Sequence, residues 1–207
     1  YGIMEGKPKG LGTAYSRTRQ GHAAQAFNGA FNVDSTWNNF TEGVALCSNV
    51  HTTRAPGVST TTGFDNLVTT GFSAAALAAA RIQMVGFRGD RAERMPIKPS
   101  LVLHPSNIYD LVFEVIKSEG KPDTAENAAN VHWGVYTAEE WIFLNDINNW
   151  FLIDETMMKD ALVWVERVAM EFAMVEDFDT LIGKWRLYGR YGHGHNDWRW
   201  MLGAQVS

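Results

Sequence analysis

The pattern of apolar and polar positions is sharpest between residues 73 and 119, where it predicts a helix, a short strand and a second helix in succession. Ser73 stands as an N-cap, Ala74, Leu77, Ala78, Ile82 and Val85 fall along one side of the turns that follow, and Gly86 stops the run. Pro96 and Pro99 forbid helix, Leu101, Val102 and Leu103 make a short apolar run, and Pro105 closes it, as suits a short central strand. Ser106 then caps a helix in which Ile108, Leu111, Val112, Val115 and Ile116 keep the i, i+3, i+4, i+7, i+8 spacing, with Asp110, Glu114 and Lys117 turned outward. Gly120 and Pro122 end it. The stretch offers two helices packed on a sheet by their apolar stripes, and neither helix carries a catalytic group.

The flanking segments attach to this unit. Residues 1–12, with four glycines, Pro8 and two lysines, read as an extended lead-in. A long helix is predicted over 13–32, with Ala23, Phe27, Ala30 and Phe31 on one stripe. Gly21 inside it costs about 1 kcal/mol relative to alanine and so marks a close backbone approach or a bend. Residues 32–71 are the least periodic, with 44–46 as a short strand and 59–62 as a surface loop. A polar loop is predicted over 121–130. Val131, Trp133 and Val135 then alternate with His132, Gly134 and Tyr136 as in a half-buried strand. The apolar runs 141–144 and 150–153 flank the turn formers Asn145, Asp146, Asn148 and Asn149, a hairpin pattern, although Thr137 and Glu140 have capping-box spacing that allows a helix instead.

From residue 162 the chain reads as antiparallel strands, over 162–167 and 170–175, a turn at Asp177 and Asp179, and a longer strand over 181–191. In that last strand Trp185, Leu187 and Tyr191 point one way and Lys184, Arg186, Tyr188 and Arg190 the other. A strand well beyond the usual length of about 5 to 6 residues, apolar on one side and cationic on the other, predicts a long ribbon with one wet or interfacial face.

Composition narrows the function. A chain of 207 residues with 45% hydrophobic and 12% aromatic positions can bury one sizeable core, which excludes a disordered segment and points to one folding unit. The net charge of -5 supplies no basic field to gather phosphate backbones, so sequence-specific nucleic-acid reading is excluded as the main role. Cys47 is the sole cysteine, which rules out an internal disulfide framework and a multi-cysteine zinc site and favours a reducing compartment. No apolar run approaches the roughly 20 residues that span a bilayer, and the start shows no basic and hydrophobic leader. The expectation is a soluble chain with no membrane partner and no visible export signal. Tyr1 in place of methionine implies processing or an upstream part.

Candidate chemistry is sparse. His193, His195 and Asp197 at i, i+2, i+4 would share one face of a strand and could hold a divalent metal for a hydrolase. Gly192 and Gly194 interleave with them, which favours a turn or bulge and a structural role. Glu139 with Glu140, and Glu176 with Asp177 and Asp179, read as solvated acids at turns and caps. Cys47 has no activating base beside it in sequence, and no phosphate cradle or nucleophile elbow is present. No cofactor is implied. Seven of the eight tryptophans lie in the second half, more than one small core needs, and interfaces favour tryptophan. The expected subunit-interface residues are Trp141, Trp150, Lys184, Arg186, Arg190 and Trp198, with the three cations meeting acidic residues of an adjacent element or subunit.

The order of these features resembles the major capsid proteins of tailed bacteriophages, which share the Hong Kong 97-type fold. The stretches that carry it are AAQAFNGAFN (23–32), EGVALCSNVH (42–51), FSAAALAAARIQM (72–84) with PSLVLHPSN (99–107), and DFDTLIGKWRLYGRYGHGHNDWRWMLG (177–203). They span most of the chain. The resemblance implies an α+β architecture with a long spine helix over 13–32, a peripheral domain over 13–50 and 160–207 with its β-sheet, and an α/β axial domain over 51–159. Residues 1–12 would be a residual N-terminal segment or the end of an extended loop, and no cross-link residue is assigned. It also implies partners: copies of the chain in pentamers and hexamers of an icosahedral head shell, accessory or decoration proteins, a portal, and double-stranded DNA enclosed without sequence-specific binding, all in the virion after assembly in the bacterial host cytoplasm. A shell subunit needs repeated self-complementary edges and no active site. The alternatives are an encapsulin-like shell of a cellular nanocompartment and the metal-dependent hydrolase.

Overall fold

A mixed sheet of five short strands forms the centre of the protein, in the order β1-β7-β4-β2-β3. The computed structural model describes residues 2–33, 42–121, 128–176, 179 and 182–207, with 2–8 described by backbone alone. The strands are β1 (Leu67–Val68), β2 (Leu101–His104), β3 (Thr137–Glu140), β4 (Trp150–Ile153) and β7 (Met201–Ala204). The middle strand, β4, runs antiparallel to both neighbours, pairing Phe151 with Leu103 and with Gly203. The outer pairs are parallel, Leu67 with Gly203 and Leu101 with Thr137. Every residue of β4 and β7 is buried, because both faces of the sheet are covered, and such a strand shows a continuous apolar run in place of alternation.

Among the described residues four α-helices flank the strands. In α2 (Ala74–Val85) the Ala76 amide donates to Ser73 Oγ at 3.1 Å, so the serine caps as its position demands, and Gly86 ends the helix. α3 (Tyr109–Lys117) follows a 3-10 turn at Ser106–Ile108 and buries Val112, Val115 and Ile116. α4 (Glu155–Ala161) is capped by buried Asp154, whose Oδ1 accepts from the amides of Thr156 and Met157 while Oδ2 accepts from Lys98 N at 2.7 Å. The longest is α1 (Gly2–Asn28), about 40 Å from end to end at 1.5 Å per residue.

Two long strands stand apart from the sheet. β5 (Leu162–Glu176) and β6 (Gly183–His195) pair antiparallel from Leu162 with His195 to Glu176 with Gly183, with register shifts between Glu166 and Val168 and between Val168 and Glu171. α1 joins both parts. Its carboxyl half enters the core, where Phe27 meets Trp141, Phe151 and Trp200 edge-on at 5.6, 5.4 and 6.0 Å; its middle lies along the ribbon through Tyr15, Arg19 and His22.

Several expectations are corrected. Residues 2–12 are helical and continuous with α1, not extended: once a helix exists each added residue gains a hydrogen bond, and propagation overrides the local glycines. A Cβ at Gly21 would meet nothing within 4 Å, so no backbone approaches there. Residues 44–46 form no strand. The buried side of α2 is Leu77, Ala80 and Met84, leaving Ile82 and Val85 exposed, since a helix rich in alanine defines no single apolar stripe. Leu111 is likewise exposed on α3, and Ser106 caps nothing but donates to Glu140. The half-buried strand expected at 131–136 is a run of turns with the opposite facing: His132 and Tyr136 are buried and Val131, Trp133 and Val135 exposed.

The strand comes one step later, at β3, and it pairs with β2 in parallel, so neither a hairpin with 150–153 nor a helix from Thr137 forms. The two segments at 162–167 and 170–175 are one bulged strand, and β6 runs through Gly192 and Gly194 without a turn. The sheet takes β7 from beyond residue 160 and its other strands from 51–159. Pro122 and most of the polar loop at 121–130, and Asp177 in the expected turn, lie outside the described residues.

Candidate assembly surfaces

The ribbon has two faces, set by which residues pair across it. One carries Trp164, Glu166, Phe172, Met174, Trp185, Leu187, Tyr191 and His193; the other carries Ala173, Val175, Lys184, Arg186, Tyr188 and Arg190. The first face is clasped near its base by α1. Arg19 donates to both carboxylate oxygens of Glu166 at 3.2 and 3.3 Å, and its guanidinium lies 5.2 Å over the Trp164 ring and 5.8 Å over Tyr191. Tyr15 meets Tyr191 edge-on at 6.1 Å, and His22 Nδ1 lies 3.0 Å from the Tyr191 hydroxyl. Close approach requires glycine at 189, where a Cβ would come within 2.1 Å of Tyr15 Oη. Beyond this clasp Phe172 and Met174 are half or more exposed, as are Met170 and Val175.

At the joint between ribbon and core sits a group of histidines. His195, paired with Leu162, is buried, and burial holds its pKa down to about 4, aided by the neighbouring His193 and His51 and opposed by Asp197. Burial likewise lowers the pKa of His193. His51 stacks flat on Trp198 at 4.1 Å, with Nδ1 2.9 Å from Glu42 Oε2 and Nε2 3.0 Å from Asn66 Oδ1. Asn66 is fully buried and ties three segments together, accepting from Ser48 N at 2.7 Å and donating to the carbonyls of Leu46 and Met201 at 2.9 Å. Nothing local in the sequence singles out Asn66, because its partners lie about 20 and 135 positions away.

The metal constellation is not assembled. His193 and His195 do share a strand face, but Asp197 lies past the strand, where both its oxygens accept from Arg199 Nη1 at 3.1 Å. Arg199 Nη2 also reaches Asp90 at 2.9 Å, which locks the carboxyl end of the chain onto the loop after α2. Among the described residues no three His, Cys, Asp or Glu side chains group as metal ligands. Cys47 is buried against Gly203, and burial pushes its thiol pKa far up, so it stays protonated and inert.

Of the expected interface residues, Trp150 and Trp198 are core residues. Trp150 donates from Nε1 to Thr70 O at 3.1 Å and meets Phe72 edge-on, and Trp198 lies between His51 and Phe87, so neither presents a surface to a neighbour. The central strand and the segment before β7 need aromatic volume on both faces, which consumes them. Trp141 is partly buried against Phe27. Lys184, Arg186 and Arg190 are exposed on the second ribbon face. Trp133, unremarked as an interface residue by sequence, is half exposed between exposed Val131 and Val135.

A finished core, a long two-faced ribbon and exposed apolar side chains are what a structural subunit requires. A model of the phage capsid protein family matches residues 1–203, and the chain belongs to that family. Such a family is of a structural kind, and a capsid protein belongs in the virion. No curated protein matches the chain in sequence. Among the described residues no helix is long and apolar enough to cross a membrane.

Proposed function

We propose that the chain is the major head subunit of a tailed bacteriophage, self-assembling into an icosahedral shell of the Hong Kong 97 type that encloses double-stranded DNA. On this reading α1 is the spine helix, 13–50 and 160–207 form the peripheral domain with β5 and β6 as its sheet and β7 reaching into the five-stranded sheet, and 51–159 form the axial domain around the five-fold and six-fold positions. Pentamers and hexamers of the chain are the primary partners, with a portal and accessory or decoration proteins joining later, and assembly takes place in the host cytoplasm.

The observation that carries the reading is the match of the capsid family along nearly the whole chain, joined to a ribbon about 40 Å long with apolar side chains uncovered. Isolated monomers rarely leave such surface open. Negative-stain microscopy and light scattering of the full-length gene product should show closed particles of uniform size. A product that stays monomeric at every concentration and salt condition would refute the proposal.

A further inference from the structure

We propose that the cationic face of the ribbon, at Arg186 and Arg190, docks on the acidic, aromatic surface formed by α3 and β3 of a second copy of this chain. The inference rests on the shell reading and goes further, by naming the two surfaces that meet.

The donor surface follows from register. Arg186 and Arg190 lie on one side of β6 with Tyr188 between them, and the cross-strand partners on that side are Ala173, Glu171 and Val168. Glu171 is the acid among those three partners. Arg186 and Arg190 are exposed and make no hydrogen bond or ion pair with any described residue. Lys184 and Arg186, two positions apart, stand roughly 7 Å from each other, and Arg190 adds a third cation against Glu171, the acid among their cross-strand partners, so the face keeps a net positive charge that an acidic surface would neutralise.

The acceptor surface lies at the β3 edge of the five-stranded sheet. β3 is the terminal strand of the five, and Glu140 on it accepts from Ser106 at the start of the segment leading into α3. On α3, Tyr109 and Phe113 stack at 6.1 Å with both rings half exposed, and Asp110 and Glu114 lie alongside them one turn apart. Asp110 and Glu114 have no ion-pair partner among the described residues, as Arg186 and Arg190 have none. Lys117 shares the exposed arc and offsets one acid; Glu119, exposed just past the helix, adds another. The surface thus offers carboxylates for guanidinium forks beside two aromatic faces that attract cations, and the ribbon offers two guanidinium groups beside exposed Tyr188 and Val175.

A second copy is the occupant because neither the two arginines nor Asp110 and Glu114 have an ion-pair partner among the described residues, and each set is the complement of the other. Since two different patches meet, the contact is head-to-tail, and repeating it generates a ring when the rotation closes. That is the geometry a pentamer or hexamer needs.

The test is a charge exchange within one chain. R186E/R190E and D110K/E114K should each fold, by circular dichroism and melting, and each should raise the concentration needed for particle formation by at least about tenfold. The chain carrying all four changes should recover assembly, because its acidic ribbon then faces a basic α3. Near-normal particles from either double variant, or a folded four-fold variant no better than the doubles, overturns this contact while leaving the shell reading intact. A wild-type chain that never leaves the monomer overturns both. Should a double variant fail to fold, zero-length carbodiimide cross-linking of wild-type particles decides: Lys184 joined to Asp110 or Glu114 of a differently labelled chain supports the contact, and its absence overturns it.

Discussion

The five-stranded sheet and the β5–β6 ribbon draw on similar residues and meet opposite fates. All of β4 and β7 is buried, in strands of four residues; of the fifteen residues of β5 none is fully buried, and of the thirteen of β6 only His195 is. The ribbon holds Val165, Met170, Phe172, Met174 and Val175 exposed, side chains that would serve as well in a core. Hydrophobicity alone therefore does not decide burial; cover does. Short strands fit beneath helices and loops of the same chain, whereas of a ribbon about 40 Å long α1 contacts one face near its base through Tyr15, Arg19 and His22, and the apolar side chains farther out stay exposed. One region is completed by its own sequence. On the proposed shell reading the other is completed by assembly, and α1, docked on both, makes them one subunit.

The most damaging way to probe that contrast is Trp150→Ala. The change removes a fully buried indole, its hydrogen bond to Thr70 O and its edge contact with Phe72, and should cost about 3 to 5 kcal/mol of stability in urea unfolding. Phe172→Ala, an aromatic truncation of the same kind on the exposed ribbon, should cost only about 0.5 kcal/mol. Equal losses at the two positions would show that the ribbon is part of the same cooperative core.

The joint between the regions gives a pH-dependent probe of intermediate size. His195 is held to a pKa of about 4 when folded, against about 6.5 in the unfolded chain, so the folded state binds fewer protons between those values. Its contribution is complete above about pH 6.5 and is lost as the pH falls toward about 4. The loss should amount to about 2 to 3 kcal/mol, with partly buried His193 and buried His132 acting in the same direction. Urea midpoints measured from pH 7.5 to 4 should fall for the wild type and fall less for His195→Gln. A midpoint curve that is the same in both proteins would place the acid sensitivity elsewhere.

The core was legible where one local pattern decided the outcome. Ser73, Gly86, the 101–103 strand and the buried triad Val112, Val115 and Ile116 lie where capping, punctuation and periodicity put them. The ribbon's apolar and cationic sides were legible for the same reason, since alternation over so many residues fixes facing. What failed required distant partners. The parallel pairing of β2 with β3 defeats a hairpin reading because β2 is inserted next to β4, which no spacing within 137–153 records. Trp150 and Trp198 were read as interface from their number, yet a sheet covered on both faces takes them inside. Asn66 and Arg199 matter through bonds that span the chain, and their neighbours in sequence carry no trace of it.

The finest probe separates ribbon from core through Gly189. An alanine Cβ there would sit 2.1 Å from Tyr15 Oη and 2.9 Å from Cζ, so the tyrosine ring must swing away and give up its contact with Tyr191. The hydroxyl is the far end of a rotatable side chain, which keeps the cost near the lower end for overpacking, about 1 kcal/mol. Gly189→Ala should leave amide protection in β2 and β4 unchanged while speeding exchange in β6 and the middle of α1. Adding Tyr15→Leu removes the clash, so the double variant should be less destabilised than the sum of the two single changes. Additive losses, or faster exchange spread evenly through the central sheet, would mean that ribbon and core open together and that the division between them is one of shape alone.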